Sequence, residues 1–501
     1  MSRWLKVAGV SLIVVIVIAG VFAGWTYRTI AASVPLLRGE IRVSGLEAPV
    51  SIERDNLGVP TIRGSNRLDV ARGLGLLHAQ ERFFQMDLMR RQAAGELSEI
   101  FGAGALEADR ASRMHQFRNR ARLVVETMPE AEKAVVAAYT EGVNAGLESL
   151  REKPFEYVLL RLEPAQWQPE DSVLVLYAMY FVLNDDTGDA ESDRGLLEDI
   201  LGPEMAAFLA PLGTEWDAPV VGEVFETPQI PGVEIPAGGV EAASNHRAQA
   251  GFLKAEALVG SNNWAVGGSC TADGRAILAN DMHLGMAVPN TWYRAMLEWP
   301  AEDGCHGNHR LVGVTLPGSP ALVAGSNTRV AWGFTNSQGD WSDLVIVDVA
   351  SEDPSRYATS DGWLTIEKRP ETILVRDGEP EEFNVRTTIW GPIVDQDHLG
   401  RPRAVRWIAH DEGGANLAML GLEHAATVHE AFEVANRCGI PPQNFVCADA
   451  DGNIGWTIIG RIPRRFGFSG RVPTSWADGS HGWEGWLEPE DYPRVINPDG
   501  G

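Results

Sequence analysis

The hydrophobic pattern changes character twice along the chain. Val7–Trp25 is an uncharged, mostly apolar run preceded by Arg3 and Lys6, and it is long enough to cross a bilayer core. It predicts a signal peptide or uncleaved signal anchor over residues 1–34, with its positive end in the cytoplasm. Ile30-Ala31-Ala32-Ser33 offers only a weak cleavage site, which favours the anchor. Everything after about residue 35 is then extracytoplasmic, anchored to the membrane or secreted. Short strands are predicted at Val50–Arg54 and Thr61–Arg63, either side of the turn cluster Asp55-Asn56-Leu57-Gly58. From Asn66, Leu74, Leu77, Phe84 and Leu88 recur at helical spacings, predicting an amphipathic helix. A second helix is predicted over Glu130–Leu150. A third, Val173–Leu183, is apolar nearly all round and therefore buried. Asn184–Glu191 reads as an acidic loop.

Residues 228–258 lose all periodicity and become rich in Pro, Gly and Ala, as in a linker or removable spacer. Beyond them the texture is that of strands: Val312–Leu316, Arg329–Phe334, Leu344–Val349, Thr372–Val375, Asn384–Ile389, Ala404–Ile408, Asn444–Ala448 and Ile454–Ile459. A mainly helical stretch over 35–227, a spacer over 228–260 and a β-rich stretch over 261–501 predict one large α+β unit.

The start of the β-rich part carries a hairpin signal. Strands at Asn262–Ser269 and Arg275–Asp281 flank an Asp273-Gly274 turn, with Gly260-Ser261 at the open end. Because 261 + 283 = 2 × 272, Ser261 and His283 are symmetric about the turn. An unslipped register puts their Cβ atoms about 5 Å apart.

Composition narrows the chemistry. Hydrophobic content of 45% and charged content of 22% suit a globular protein, and a net charge of −26 provides no basic stripe for nucleic acid. Cys270, Cys305, Cys438 and Cys447 form no Cys-x-x-Cys pair, which leaves one or two disulfides and buried free thiols equally open. His306 and His309 have the spacing of a metal pair, but their Gly/Asn-rich loop brings few further ligands, so zinc is not favoured. The chain contains no Gly-x-Ser-x-Gly, Ser-x-x-Lys or His-Glu-x-x-His. Ser261 remains as the nucleophile candidate. A serine hydroxyl needs a base, and an α-amine of pKa about 7.7–8.0 is matched to neutral pH. Cleavage between Gly260 and Ser261 would create both groups on one residue. Local chemistry alone leaves an ordinary strand-edge serine as the alternative.

Several stretches together resemble the penicillin amidase family of N-terminal-nucleophile hydrolases, which includes penicillin, cephalosporin and acyl-homoserine-lactone acylases. They are Arg54–Pro60, His78–Arg82 with Gln85-Met86-Asp87, Gly142–Ala145, Gly260–Trp264, Asn280–Leu284, Ala331–Thr335, Ala448-Asp449 and Gly452–Gly455. The resemblance runs in order from about residue 45 to the end. It implies an αββα sandwich with a helical α-chain region wrapped around it. It also implies self-cleavage that removes the spacer and leaves Ser261 as the first residue of a β-chain, paired with its own α-chain. The implied reaction is hydrolysis of the amide bond of a small N-acyl compound through an acyl-serine, with no organic cofactor.

In that family pattern His283 helps to order the amine and oxyanion site, and the main-chain N–H of Asn336 is one oxyanion donor. The second donor, an Asn side chain, is expected in a segment beyond Asn497–Gly501. Leu284 is implied to line the acyl pocket, where its aliphatic side chain favours an aliphatic acyl group. Glu191 with Asp340, Ser342 and Asp343 is implied to hold a structural Ca²⁺ through oxygen ligands. Two rival readings accompany these expectations: a catalytically impaired, membrane-anchored binding or scaffold homologue, and an acyl-homoserine-lactone acylase in place of a β-lactam acylase.

Overall fold

The computed structural model describes residues 3–499 apart from 185–186, 218, 221, 223, 233–259 and 302–306. Most of the predicted spacer, Cys305 and His306 thus lie outside the described residues. The chain begins with helix α1 (Arg3–Ala32), whose Ser11–Ala32 part is long and apolar enough to cross a membrane and is wholly unburied. Strands β1 (Ser51–Arg54) and β2 (Pro60–Arg63) form a hairpin. The long helix α2 (Arg67–Ala94) follows. Asn66 caps its N-terminus by accepting from the Asp69 N–H, and Gly95, at φ +67°, ends it.

Short helices α3 (Ser98–Phe101), α4 (Leu106–Met114) and α5 (Phe117–Thr127) lead to α6 (Glu130–Glu148). Helices α7 (Phe155–Leu160), α8 (Pro169–Leu183), α9 (Asp189–Leu201) and α10 (Pro203–Leu209) complete the helical part. The predicted acidic loop is therefore shorter than expected. Gly188, at φ +71°, turns the chain into α9, and Glu191 stands in that helix's first turn. A carboxylate there is favoured by the helix dipole.

Helices α2 and α6 pack backbone to backbone. An added Cβ on Gly75 would lie 2.3 Å from the Tyr139 carbonyl, and one on Gly142 would lie 2.1 Å from that of Arg72. His78 ties this pair to the sheet. Its Nδ1 lies 2.7 Å from the Tyr139 hydroxyl, and its Nε2 2.9 Å from Thr315 Oγ1. Thr315 donates its own proton to the Tyr293 carbonyl, so Nε2 donates to it, and the Tyr139 hydroxyl, which accepts from the Gly318 N–H at 2.9 Å, has its proton to give to Nδ1 of a neutral imidazole. Burial, reinforced by the positive Arg82, pushes the His78 pKa down to about 3.

An unfolded histidine takes its proton near pH 6.5 and the folded one does not, so this contribution is present above pH 6.5 and is lost as pH falls toward 3. We expect the stability advantage of the wild type over His78→Gln to shrink by about 1.4 kcal/mol per pH unit below 6.5, about 2 kcal/mol by pH 5. Urea titrations of both proteins at pH 7.5 and 5 measure this, and a pH-independent difference would refute it.

The β-rich part is built on a nine-stranded sheet in the order β1-β2-β5-β6-β7-β8-β16-β17-β21. Its further members are β5 (Tyr293–Pro300), β6 (Asn308–Thr315), β7 (Leu322–Ser326), β8 (Val330–Asn336), β16 (Gln443–Asp449), β17 (Ile454–Ile459) and β21 (Arg494–Ile496). The pairing of β2 with β5 is parallel, so strands from the helical part are built into this sheet. A four-stranded sheet comprises β14 (Ile393–Gln396), β15 (Pro402–Trp407), β9 (Ser342–Ile346) and β19 (Thr474–Ser475).

Along β8 and β16, Phe334 pairs with Phe445 on one face, which also receives Phe432 of the helix Val428–Ala435. The opposite face, at Gly333, receives a separate hairpin of β3 (Asn262–Val266) and β4 (Ile277–Asp281). Helix, sheet and hairpin are thus stacked in that order within the α+β class. Cys270, Cys438 and Cys447 are free thiols, the last two buried, which settles the disulfide question for three of the four cysteines. His309 stacks on Trp299 at 5.0 Å.

Candidate active site

The β3–β4 hairpin exists, but its register differs from the symmetric one by one residue. Asn262 faces Asp281 and Val266 faces Ile277, so partners sum to 543 and not to 544. Both strands are shorter than predicted because the chain leaves β3 at Gly267 and enters a 3-10 turn over Gly268–Cys270. Gly268 is docked on the loop between β16 and β17. Its N–H donates to the Gly452 carbonyl at 2.8 Å, and an added Cβ would lie 2.1 Å from the Gly274 carbonyl. A tip held by the neighbouring hairpin, and not a tight Asp-Gly turn, sets the register.

The shift changes how His283 meets Ser261. It is the His283 main-chain N–H that reaches the serine, donating to Oγ at 3.1 Å. The imidazole turns back toward Asp281, with Nε2 2.9 Å from Oδ2. The expected closeness is kept, through the backbone and not through a cross-strand side-chain pair. The α-nitrogen of Ser261 is here still an amide, joined to Gly260.

The hairpin is fastened to the sheet by Asn280. Its Nδ2 donates to the Phe334 carbonyl at 2.7 Å, and its Oδ1 accepts from the Phe334 N–H at 3.3 Å. This pair of bonds imitates a strand partner two residues before Asn336. It needs bare backbone beside it, since an added Cβ on Gly333 would lie 2.7 Å from Asn280 Cβ. We expect Gly333→Ala to cost about 1–3 kcal/mol by overpacking and to displace the hairpin. Thermal unfolding reads the first effect, and a wild-type midpoint would argue against this contact. Asn280 lies inside the motif quoted above, but sequence alone does not show that it is the fastener.

Asn336, the last residue of β8, joins the sheet to the end of α8, since its Nδ2 donates to the Leu183 carbonyl at 3.1 Å. Ser261, Leu284 and Asn336 line one narrow cavity of about 60 Å³, with Met179, Met282 and Phe334 among its apolar walls. Met179 and Leu284 also line a much larger neighbouring cavity of about 1010 Å³. The arrangement presents a hydroxyl, fixed by one N–H, in the lining of an apolar slot.

The acidic residues gather elsewhere, at the junction of α9 and β9. Glu191 is buried, and its Oε2 accepts from the Leu344 N–H at 2.8 Å. Asp343 is buried and accepts from Arg465 Nε at 2.8 Å, and Asp340 lies 3.2 Å from the same guanidinium. Ser342 begins β9 between them, and its carbonyl faces Arg465 at 3.5 Å. Burial, then the neighbouring Asp343, push the Glu191 carboxyl up to about 9. Burial likewise raises Asp343 to about 7 against the opposing pull of Arg465. Glu191 Oε1 and Asp343 Oδ1 are buried without a hydrogen-bond partner, and the space beside Oδ1 is one that a Cβ on Gly470 would fill, at 2.9 Å. These two orphaned oxygens suit a hard cation. Among the described residues, no three His, Cys, Asp or Glu side chains converge as a metal cluster.

The docked hairpin of this α+β chain thus carries a serine directly after a glycine at its open end, with an apolar slot beside that serine. The sequence profile of the penicillin amidase family matches residues 49–501, and the chain belongs to that family. It is 32% identical over 498 residues to penicillin acylase 2 proenzyme of Pseudomonas sp. (strain SE83), covering 95% of this chain and 60% of that protein. It is 29% identical over 494 residues to acyl-homoserine lactone acylase QuiP of Pseudomonas aeruginosa, covering 95% and 57%. A solved thermostable penicillin G acylase from Alcaligenes faecalis aligns with 47% of this chain and 42% of its own, at 26% identity and a TM-score of 0.41. The chain spans about three fifths of the length of these two curated relatives.

Proposed function

We propose that the chain acts as a self-processing acylase, hydrolysing the amide bond of small N-acyl compounds on Ser261. The observation that carries this reading is the placing of Ser261 Oγ, under the His283 N–H, in the lining of the slot that Leu284 also lines. Scission of the Gly260–Ser261 bond frees an α-amine next to the hydroxyl. The amine accepts the hydroxyl proton through a water as Oγ attacks the substrate carbonyl. The Asn336 N–H donates to the oxyanion, a contribution of several kcal/mol for a fixed donor of this kind. Collapse expels the amine leaving group with that proton, and water then hydrolyses the acyl-serine. Mass spectrometry of the purified protein tests the first step. A fragment beginning at Ser261 supports self-processing, and a single uncut chain refutes it.

Leu284, with Leu176, Met179 and Met282, gives the slot an aliphatic side beside the aromatic Trp292 and Phe334, and it supports an aliphatic acyl group over an arylacetyl one. Both an acyl-homoserine lactone and a β-lactam with an aliphatic acyl group fall within that class. A panel of acyl-homoserine lactones, phenylacetyl amides and glutaryl cephalosporins separates the two, and faster turnover of phenylacetyl amides would reverse the preference. The exposed apolar α1 supports anchorage, with the folded body outside the cytoplasm.

A structural Ca²⁺ is part of the same proposal, held by Glu191 and Asp343 with main-chain oxygens, and it would fix α9 against β9. It favours the ionised carboxylates that burial alone disfavours. We expect millimolar Ca²⁺ at pH 8 to raise the thermal midpoint, and Glu191→Gln to abolish the response. An identical Ca²⁺ response in the variant would exclude this site.

A further inference from the structure

The large cavity next to the Ser261 slot is lined in part by Ile30, Ser33, Val34 and Pro35, the end of the membrane-type helix α1 and the residues just after it. Its other walls come from α2, α7, α8 and the segment after β4, with Phe84, Leu88, Phe155, Val182 and Val288 prominent. Two positions, Met179 and Leu284, are shared with the slot at Ser261, so the two cavities adjoin at these side chains, the larger one reaching to the end of α1 and the smaller one to the serine. Polar members such as Glu81, Arg82 and Gln85 sit together on the α2 wall.

The position of this mouth relative to a bilayer follows from α1. Its apolar part has 22 residues, about 33 Å of helix, which matches a hydrocarbon core of about 30 Å. Trp25 and Tyr27 are exposed near its far end, where aromatic side chains mark the membrane interface. Ile30–Pro35 then lie within about 15 Å of that level, counting 1.5 Å per residue. The helix end is held to the body by the Ser33 hydroxyl, which donates to the Lys153 carbonyl at 2.8 Å. Exposed apolar side chains lie on the cavity's lining, at Phe155 on α7 and at the fully exposed Val288, and others follow close by in the chain: Leu36 and Leu37 after α1, Leu159 on α7 and the fully exposed Met286. Exposed apolar side chains gathered beside a membrane helix are the mark of a lipid-facing surface.

We infer that this cavity is a membrane-side entrance through which the acyl chain of a bilayer-resident, long-chain N-acyl amphiphile passes directly to Ser261. The inference rests on the acylase reading for the reaction and extends it to the substrate class and its route. Its volume, about 1010 Å³, is at the upper end of ordinary ligand sites (roughly 300–1,000 Å³), far more than a short acyl group requires. A substrate delivered this way keeps its chain out of water throughout, and the polar amide reaches the serine last.

The test uses the full chain reconstituted in phosphatidylcholine vesicles, with an N-hexadecanoyl amide carrying a diazirine at the end of the acyl chain. After illumination, mass spectrometry should find label in peptides containing Phe155, Val182 and residues 284–291. Label confined to α1 would overturn the entrance. Val288→Asp puts a charge on the rim at a fully exposed position and should lower labelling of the body at least ten-fold with an unchanged thermal midpoint. Phe155→Asp provides an independent second variant, and undiminished labelling in both would also overturn the proposal. The hydrolase reading is scored separately with a water-soluble N-butanoyl amide. Body labelling without hydrolysis of either amide refutes the hydrolase and keeps the entrance, whereas hydrolysis of the butanoyl amide without body labelling does the reverse.

Discussion

Ser261→Ala should abolish both appearance of a Ser261 N-terminus and hydrolysis of N-acyl amides, with turnover falling on the order of 10⁴–10⁶-fold, as when other serine nucleophiles are removed. Both effects have one cause. Oγ is the atom that attacks the carbonyl, first that of Gly260 and then that of the substrate, and no other hydroxyl among the described residues lines the 60 Å³ slot with it except that of Thr335. Thr335 is largely buried within β8, opposite Asn444, and cannot replace a serine at the open end of a hairpin. Fold loss is an unsuitable explanation here, because Ser261 is only partly buried and loses one accepted hydrogen bond, worth about 1 kcal/mol. Unchanged cutting in Ser261→Ala would mean that an external protease separates the chains. Unchanged turnover would remove Ser261 from the mechanism altogether.

Asp171→Ala should be the most destabilising of the single substitutions considered, by about 3–5 kcal/mol. Asp171 lies in the first turn of α8 and is fully buried. One oxygen receives Arg118 at 2.6 Å, and the other receives Arg90 and, at 2.8 Å, the Gln168 N–H that begins the helix. Arg90 in turn bonds Asp87 of its own helix, whose second oxygen accepts from the Tyr157 hydroxyl at 2.5 Å. Arg90 also lies over the Trp167 ring, 4.9 Å from its centroid. Removing Asp171 leaves a buried guanidinium with one carboxylate fewer and strips the cap from α8, the helix that carries Met179 to the slot. Urea unfolding at neutral pH measures the loss, and a change below about 1 kcal/mol would show that Asp87, on Arg90, and Glu96, whose two oxygens accept from Arg118 at 3.0 and 2.6 Å, suffice to hold the two arginines. Asp171→Asn, which keeps the acceptor without the charge, should recover part of the difference.

Much of this is legible in the sequence. Glycine before serine, Asn-Trp-Ala-Val after it and an Asp-Gly downstream announced a hairpin with a nucleophile at its end. The unbroken apolar run of α8 announced a buried helix, because a helix with no polar face has no side to give to water. Strand β5 could have been found by the same means: Tyr293, Ala295, Leu297 and Trp299 alternate and are the buried positions. The acidic segment reads in sequence as loop through to Glu191, because Asp189 and Glu191 look like solvated charges, whereas Gly188 turns the chain so that both fall in the first turn of α9.

What the sequence by itself determined is therefore local: which residues carry chemistry, and which segments alternate with period two or 3.6. What only the tertiary structure decided is how those segments meet. The register of β3 and β4 follows from Gly268 resting on Gly452, about 180 residues away in the chain. The parallel seam between β2 and β5 joins segments more than 200 residues apart. The bond from the His283 N–H to Ser261 follows from that register, and Asn280 finds its role only when Gly333 lies beneath it. The physical reason is the same in each case: a hairpin's intrinsic preferences leave a one-residue slip nearly free, and it is packing against distant backbone that makes one register cheaper than the next.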